Sequence, residues 1–364
     1  MPPSTPALRR GRVTIADIAR RAGVTPAAVS LAVNGRPGVS DATRERILGI
    51  AKELDWEPSP AARALAGAPV LTIGMVLARP ADVLGSEAFF GAFVAGLQEV
   101  LSARDYALQM KIVDSPEAEV ETYRRWFAQR RVDGVVMVDL RVDDPRVPAL
   151  EALGEPALVV GGPGHHGSLP AVYVDDALAV RLVVEHLASL GHRRVARVAG
   201  TASFLHTAQR DAAFEAVGAE LGVGTVLQDA GYGAEGAARA TADLLATEDA
   251  PSAIVFDSDE MALAGAHVVL ESGRAIPEDV AVVTIEDSPL ARSHRPPITA
   301  IGRSAVEYGR LAASRLLEVV AARGDRSSGT FESRVIEPEL LVRASTDPSA
   351  PKSPMDGALR SSVS

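Results

Sequence analysis

The sequence predicts a small all-α head followed by an α/β core built as two lobes, each with a doubly wound parallel sheet. Three observations predict it. Short segments of helical apolar spacing, bounded by Thr, Ser and Gly caps, crowd residues 14–54. Beyond Pro69, apolar runs of strand length alternate with helical stretches as far as residue 285. That series holds more strands than one sheet carries comfortably, so the core divides in two, with a cleft between the lobes as the natural ligand site.

The elements follow in order. Residues 1–11, rich in Pro, Ser and Arg without periodicity, read as a disordered arm. Ile15, Ile18, Ala19 and Ala22 fall at helical spacing behind Thr14, an N-cap with Asp17 three residues on, and Gly23 stops that helix. Thr25 caps a second short helix with Pro26 at its first position, and Ala28, Val29, Ala32 and Val33 carry it to the Asn34-Gly35 turn. Two short helices joined by a glycine turn make a helix-turn-helix. A third helix starts at Ser40 and is expected to bury Ile47, Leu48, Ile50, Ala51 and Leu54. The domain boundaries follow: an arm at 1–11, a head at 12–58, an Ala-rich hinge at 59–69, a core at 70–345 and a Pro/Ser-rich tail at 346–364. In the core, strands are expected at 71–77, 107–113, 135–138, 157–160, 171–174, 194–199, 225–228, 253–256 and 280–285, apolar on both faces as buried parallel strands are.

Charge separates the two parts. The chain has 364 residues and a formal net charge of −10. Through Arg46 there are eight basic residues (Arg9, Arg10, Arg12, Arg20, Arg21, Arg36, Arg44, Arg46) and three acidic ones (Asp17, Asp41, Glu45), or +5, leaving −15 on the remainder. A basic head on an acidic body suits a protein whose head meets phosphate. The absence of cysteine excludes disulfides, thiolate metal sites and cysteine nucleophiles. No apolar run of membrane-spanning length and no secretory leader is present, so no membrane partner is expected and the chain reads as cytoplasmic.

Catalytic signatures are missing. Gly162-Pro-Gly164-His-His-Gly167 fits the dinucleotide pattern G-x-G-x-x-G, but Ser168 to Val174 read as loop and strand where a helix is needed. His165 and His166, adjacent in a Gly-rich loop without carboxylates nearby, read as solvated rather than metal-binding. No nucleophile elbow, P-loop or H-E-x-x-H motif occurs, so neither an enzyme nor a cofactor is expected.

Val13-Thr-Ile-Ala-Asp-Ile-Ala-Arg-Arg-Ala-Gly23, running on through Val29-Ser-Leu-Ala-Val-Asn-Gly35, resembles the helix-turn-helix of LacI-type repressors. Val39-Ser-Asp-Ala-Thr-Arg-Glu-Arg-Ile47 resembles their third helix. Leu190-Gly-His-Arg-Arg-Val195, Phe256-Asp-Ser-Asp-Glu-Met-Ala-Leu263, Ile276-Pro-Glu-Asp-Val280 and Pro296-Pro-Ile-Thr299 are similar to that family's core motifs, in the same order. The resemblance spans Val13 to about Ser345 and implies a periplasmic-binding-protein-like core.

It further implies a transcriptional regulator, a repressor by type, that binds double-stranded palindromic DNA as a homodimer under control of a small-molecule effector such as a sugar. The second helix would lie in the major groove and present Thr25, Pro26, Ala27, Ser30 and Leu31. Ala27 and Leu31 stand where many relatives carry polar or Arg side chains, which implies apolar contacts such as thymine methyls and a heavier share for Ser30. Thr14, Asn34, Arg36 and Thr43 would face phosphate or cap helices. In the hinge, Ser59 replaces a familiar Asn, Ala62 follows one turn on, and Leu65 matches the leucine that wedges into the minor groove.

For the effector, Arg210 matches a ligand-gripping arginine, and Phe89, Phe90 and Tyr232 match aromatics that line the pocket. Ser258 and Glu286 stand where Asn and Asp are frequent, and Gly161-Gly162 where Asp-Arg is common. The rival reading is a two-lobed sugar-binding protein without a DNA role; it calls for a signal peptide and no basic head, the reverse of this sequence.

Overall fold

The computed structural model describes residues 13–33, 35–56, 69–80, 88–323 and 333–350. The chain forms two compact units, Met1–Val70 and Leu71–Ser364.

The first unit holds α1 (Ile15–Ala22), α2 (Pro26–Val33) and α3 (Asp41–Glu53). Their ends are set by the residues the sequence marks. The Thr14 backbone N–H and hydroxyl both donate to Asp17 Oδ2, at 3.0 and 2.7 Å, and Gly23 closes α1 at φ 66°. Thr25 Oγ1 accepts from the Ala28 N–H at 3.2 Å, and Ser40 Oγ from the Thr43 N–H at 3.3 Å. Ile18, Ala19, Ala22, Val29, Ala32, Ile47 and Ala51 form the small core. Leu48 corrects the expected stripe, for it is 45% exposed. Ile47, Ile50, Ala51 and Leu54 recur at i, i+3, i+4 and i+7 on one face, whereas Leu48 sits ~100° around the helix.

The second unit has two six-stranded sheets. The strands are β1 (Thr72–Leu77), β2 (Ala107–Ile112), β3 (Gly134–Met137), β4 (Ala157–Val160), β5 (Ala171–Val174), β6 (Arg194–Ala199), β7 (Gly224–Asp229), β8 (Ala253–Phe256), β9 (Ala281–Thr284), β10 (Thr299–Gly302), β11 (Arg334–Ile336) and β12 (Glu339–Leu341). The first sheet runs β11-β5-β4-β3-β1-β2 and is wholly parallel. The second runs β12-β10-β9-β8-β6-β7 and is parallel except for β12, antiparallel to β10. The helices are α4 (Ala88–Ser102), α5 (Pro116–Ala128), α6 (Arg146–Leu153), α7 (Asp176–Ser189), α8 (Leu205–Leu221), α9 (Ala234–Leu245), α10 (Asp259–Glu271), α11 (Pro289–Ser293) and α12 (Ala305–Ala321).

Successive side chains of a strand point to opposite faces, and each sheet is covered on both. Ile73, Met75 and Leu77 enter one cluster with Val136, Leu158 and Phe93, while Val76, Val135, Met137 and Val159 enter another with Tyr123 and Trp126. The edge strand β2 departs from the expected two-sided burial. It pairs on one side only, and Met110 and Ile112 are 41% and 45% exposed.

Chain order and lobe membership part company near the end. After β10 the chain returns to the first lobe, where Tyr308, Ala312, Ala313, Leu316 and Leu317 of α12 pack with Phe93 and Leu97. Glycines let α12 and α4 touch backbone to backbone: a Cβ on Gly96 would run into the Val306 carbonyl, and one on Gly309 into that of Phe93. β11 then joins the first sheet and β12 the second, so three connections cross between lobes, at 174–176, 302–305 and 336–339. The core also extends past the expected boundary at Ser345. Thr346 is buried, with Oγ1 2.7 Å from that of Thr299 and 2.9 Å from His186 Nε2.

Candidate ligand cavity and nucleic-acid interface

In the head, α2 turns Val29 and Ala32 inward and leaves Thr25, Pro26, Ala27 and Ser30 exposed. Leu31 is half-buried, tucked against Gly38, whose φ of 123° suits glycine. Thr14 caps α1 through Asp17, and that hydroxyl with the backbone N–H lowers the Asp17 carboxyl from its ordinary value. Thr43 is half-buried on α3, and the exposed Arg36 accepts at its carbonyl from the Arg44 guanidinium at 2.9 Å. Asn34, Ser59, Ala62 and Leu65 lie outside the described residues.

In the core, the carboxyl ends of both sheets converge on one cavity, where open α/β sheets place their ligands. Arg79, Asp139, Gly161 and Asp176 follow β1, β3, β4 and β5 within two residues; Ser258, Glu286 and Arg303 follow β8, β9 and β10. Phe89 and Phe90 come from α4, His206 and Arg210 from α8, and Tyr232 from the β7–α9 connection. The cavity thus brings together Phe89, Phe90, Arg210, Tyr232, Ser258 and Glu286, all six nominated from sequence. On the mouth side the lobes touch directly: the Leu205 N–H donates to the Leu140 carbonyl at 2.8 Å, and Gln209 Nε2 to that of Pro163 at 2.9 Å.

Arg210 is no surface arginine; it is 1% exposed. Its Nε lies 2.7 Å and one terminal nitrogen 2.6 Å from Asp176 Oδ1, with Asp257 Oδ1 3.4 Å from the other. Asp257 is clamped from below by the Arg197 guanidinium at 2.7 Å and the Gly200 N–H at 2.8 Å. Burial alone would raise the Asp257 carboxyl, but Arg197, Arg210 and the Gly200 amide hold it well below the carboxylate range. Arg303 donates to Glu286 at 2.8 Å and lies 3.9 Å from Asp176. Burial raises Glu286, and the Arg303 and Arg210 charges offset part of that rise.

A second arginine ties the lobes together. Arg79 makes a bidentate pair with Asp139 at 2.6 and 3.0 Å. Its guanidinium carbon lies 5.0 Å from the ring centre of Phe90 in the first lobe, and 4.8 and 5.2 Å from those of Phe204 and Tyr232 in the second. His206 Nε2 sits 2.6 Å from the Tyr232 hydroxyl, and burial, reinforced by the Arg210 charge, pushes the imidazole well below its ordinary value. Ser258 also caps α10, its Oγ accepting from the Met261 N–H at 3.3 Å. Tyr308 donates to the Val172 carbonyl at 2.9 Å.

The formally charged side chains lining the cavity are three guanidiniums, Arg79, Arg210 and Arg303, against three carboxyl groups, Asp139, Asp176 and Glu286. Formal charge cancels, so the site suits an uncharged ligand that both donates and accepts hydrogen bonds over aromatic walls. Sequence reasoning missed Arg79, Asp139, Asp176, Asp257, His206 and Arg303. A signal for four of them exists: Arg79, Asp139, Asp257 and Arg303 are each the first charged residue beyond a strand, and Asp176 is the second. The Gly162–Gly167 loop leads into β5 rather than a helix, and His166 Nδ1 lies 2.8 Å from the Leu169 carbonyl. Among the described residues no group of His, Cys, Asp and Glu could hold a metal ion, and no helix is long and apolar enough to cross a membrane.

Residues 14–59 match the pattern of bacterial regulatory proteins of the lacI family, and residues 184–346 that of a periplasmic binding protein-like domain. The chain is 30% identical over 353 residues to the HTH-type transcriptional regulator AglR of Rhizobium meliloti (strain 1021), covering 94% of this chain and 97% of that one. It is 31% identical over 346 residues to the HTH-type transcriptional regulator CelR of Thermobifida fusca, covering 93% and 99%. Among solved structures, a lac repressor dimer bound to operator and the anti-inducer ONPF aligns with a TM-score of 0.78 at 26% identity, over 92% of this chain and 99% of that one. A transcriptional regulator CelR–cellobiose complex aligns at 0.69 with 28% identity, over 92% and 100%. These relatives are regulators, not enzymes.

Proposed function

The chain belongs to the LacI family and is a DNA-binding transcriptional regulator, and from that premise we propose that it is a cytoplasmic homodimeric repressor whose grip on a palindromic operator is set by a sugar in the interlobe cavity. The observation that carries the reading is the charge-balanced, aromatic-walled cavity at the facing strand ends. A neutral polyhydroxy ligand exchanges hydroxyls with both guanidinium and carboxylate groups and needs no counter-charge. The complex of a relative with cellobiose supports the same class.

On DNA, α2 lies in the major groove, with Ala27 and Leu31 against thymine methyls and Ser30 on a base edge. Arg36 and Thr43 hold phosphates, Asn34 and Ser59 flank the readout, and Leu65, with Ala62 one turn before it, wedges into the central minor-groove step. Effector binding changes the angle between lobes and so the spacing of two heads in the dimer. The coupling is reciprocal: a ligand that weakens DNA binding is itself weakened by DNA to the same factor.

Selection of genomic fragments by the whole protein at defined salt, against a chain lacking residues 1–67, tests this reading. A palindrome recovered only with the head is expected. Recovery of no head-dependent site would favour a sugar-binding protein whose basic segment serves another purpose.

A further inference from the structure

The end of α5 and the turn after it concentrate charge of one sign. Arg124-Arg-Trp-Phe-Ala-Gln-Arg-Arg131 carries four guanidiniums and no carboxylate. Trp126 and Phe127 are buried with Val76 and Val135, whereas Arg124, Arg125, Arg130 and Arg131 are exposed. Strand β2 joins them to one patch. With the Gln109 amide turned so that both contacts are satisfied, its oxygen accepts from Trp126 Nε1 and from an Arg131 terminal nitrogen, each at 3.1 Å. Lys111 and Arg125 both reach Thr122 Oγ1 at 3.5 Å, which brings a fifth cation to the same face.

The patch lies where the chain enters the first lobe. In a parallel sheet the connecting helices run back, so α5 ends at the amino edge, opposite the ligand cavity. There the Asp133 N–H donates to the Thr72 carbonyl at 2.8 Å and the Leu71 N–H to Asp133 Oδ2 at 2.7 Å, so Arg130 and Arg131 stand beside the start of β1. The chain from Trp56 to Pro69 spans at most about 45 Å when fully extended, which keeps this edge tethered to the head. Carboxylates at the edge do little to offset the four arginines. Asp133 is buried, and Glu155 pairs with Arg323. Arg130 also has a φ of 50°, a conformation that glycine adopts more cheaply at a helix end.

Beyond Arg46 the chain carries a formal −15, so a body tethered to a DNA-bound head is repelled by the duplex unless the face that meets phosphate is basic. Guanidinium forks match phosphate oxygens in pairs. We infer that Arg124, Arg125, Arg130 and Arg131 form a second contact to DNA phosphates, made by the first lobe and independent of base sequence. It goes beyond the reading above and does not depend on the identity of the effector.

The test is anisotropy of a fluorescein-labelled mixed-sequence duplex of about 40 base pairs with the full chain, between about 50 and 200 mM KCl, where each phosphate contact adds about 0.9 to the slope of log affinity on log salt. Arg130→Gln/Arg131→Gln is expected to flatten that slope by about 1 or more and to weaken binding at the lowest salt by roughly fivefold. Arg130→Lys/Arg131→Lys keeps the charge and is expected to keep the slope. Arg193→Gln/Arg239→Gln removes the same charge from exposed positions on the second lobe and is expected to change affinity by less than twofold. A wild-type slope in the first glutamine pair, or equal flattening by the second-lobe pair, would overturn the inference. If the first pair loses its cooperative thermal transition, Arg124→Gln/Arg125→Gln carries the same expectation and the same refutation.

Discussion

Each lobe buries an arginine between two carboxylates, and the two clusters do different work. In the first lobe Arg146 is 1% exposed and all its N–H groups are engaged: Nε and one terminal nitrogen on Asp144, the other on Glu119, with the Val138 and Asp139 carbonyls taking the rest. Glu119 is held as well by the Ala78 N–H at 2.9 Å and the Tyr123 hydroxyl at 3.0 Å. That cluster is saturated and does not line the interlobe cavity. It braces the ends of β1 and β3, and so sets where Arg79 and Asp139 stand. Arg210 is as deeply buried, but among the described residues its polar contacts are with Asp176 and Asp257, and it lines the cavity, where its N–H groups can meet a ligand. Burial of charge therefore does not identify a site; burial of charge beside open space does.

The difference is open to direct attack. Arg146→Leu strands Glu119 and Asp144 in the core and should cost about 3–5 kcal/mol of stability, read as a fall in Tm. The further rise in Tm on adding the effector should remain. If that rise disappeared too, the two clusters would be one functional unit.

Arg79→Met should act on the link between lobes. It removes a desolvated cation from three aromatic faces, an interaction of about 2 kcal/mol, and leaves Asp139 without its bidentate partner. Effector affinity measured by titration calorimetry is expected to fall by roughly tenfold or more, with a smaller loss of Tm than for Arg146→Leu. An unchanged affinity would show that Arg79 holds the lobes without shaping the site.

The smallest expected effect is a pH dependence. His206 has a folded value below the ordinary 6.5, so the unfolded chain takes up a proton first as pH falls. Its contribution is complete above about pH 6.5 and is lost progressively below it. Glu286 works the other way, since its raised value means that the native state binds the proton first on acidification, which adds stability as pH drops towards and below the folded value. The Tm of His206→Gln should therefore fall less between pH 7 and pH 5.5 than that of the wild type. Parallel curves would mean that another group carries the acid sensitivity.

Much of this was legible in the sequence because local signals suffice for it. The caps at Thr14, Thr25 and Ser40 and the stop at Gly23 fix the head, and the apolar runs mark every strand from β1 to β9, while β10, Thr299–Gly302, was not among the expected strands. β11 and β12 were not visible: three residues each, half-exposed, they become strands only because a neighbouring sheet edge is present to pair them. The return of α12 to the first lobe is likewise a tertiary choice that periodicity cannot carry. In the cavity, the positions that match the family pattern led to Arg210, Tyr232 and Glu286, whereas Asp176 and Asp257 escaped notice. Their meaning lies in pairing with Arg210 across 34 residues and with Arg197 across 60, and no single-sequence pattern records that.

The most direct measurement is the affinity of the selected operator duplex for wild-type and Arg210→Lys protein, by fluorescence anisotropy, with and without the sugar that raises the wild-type Tm. Lysine keeps the charge that Asp176 and Asp257 require but loses the planar fork. The expected result is a sugar-dependent change in operator affinity of tenfold or more for the wild type and little change for Arg210→Lys, with equal affinities in the absence of sugar. An identical sugar response in both proteins would contradict a regulatory site at Arg210.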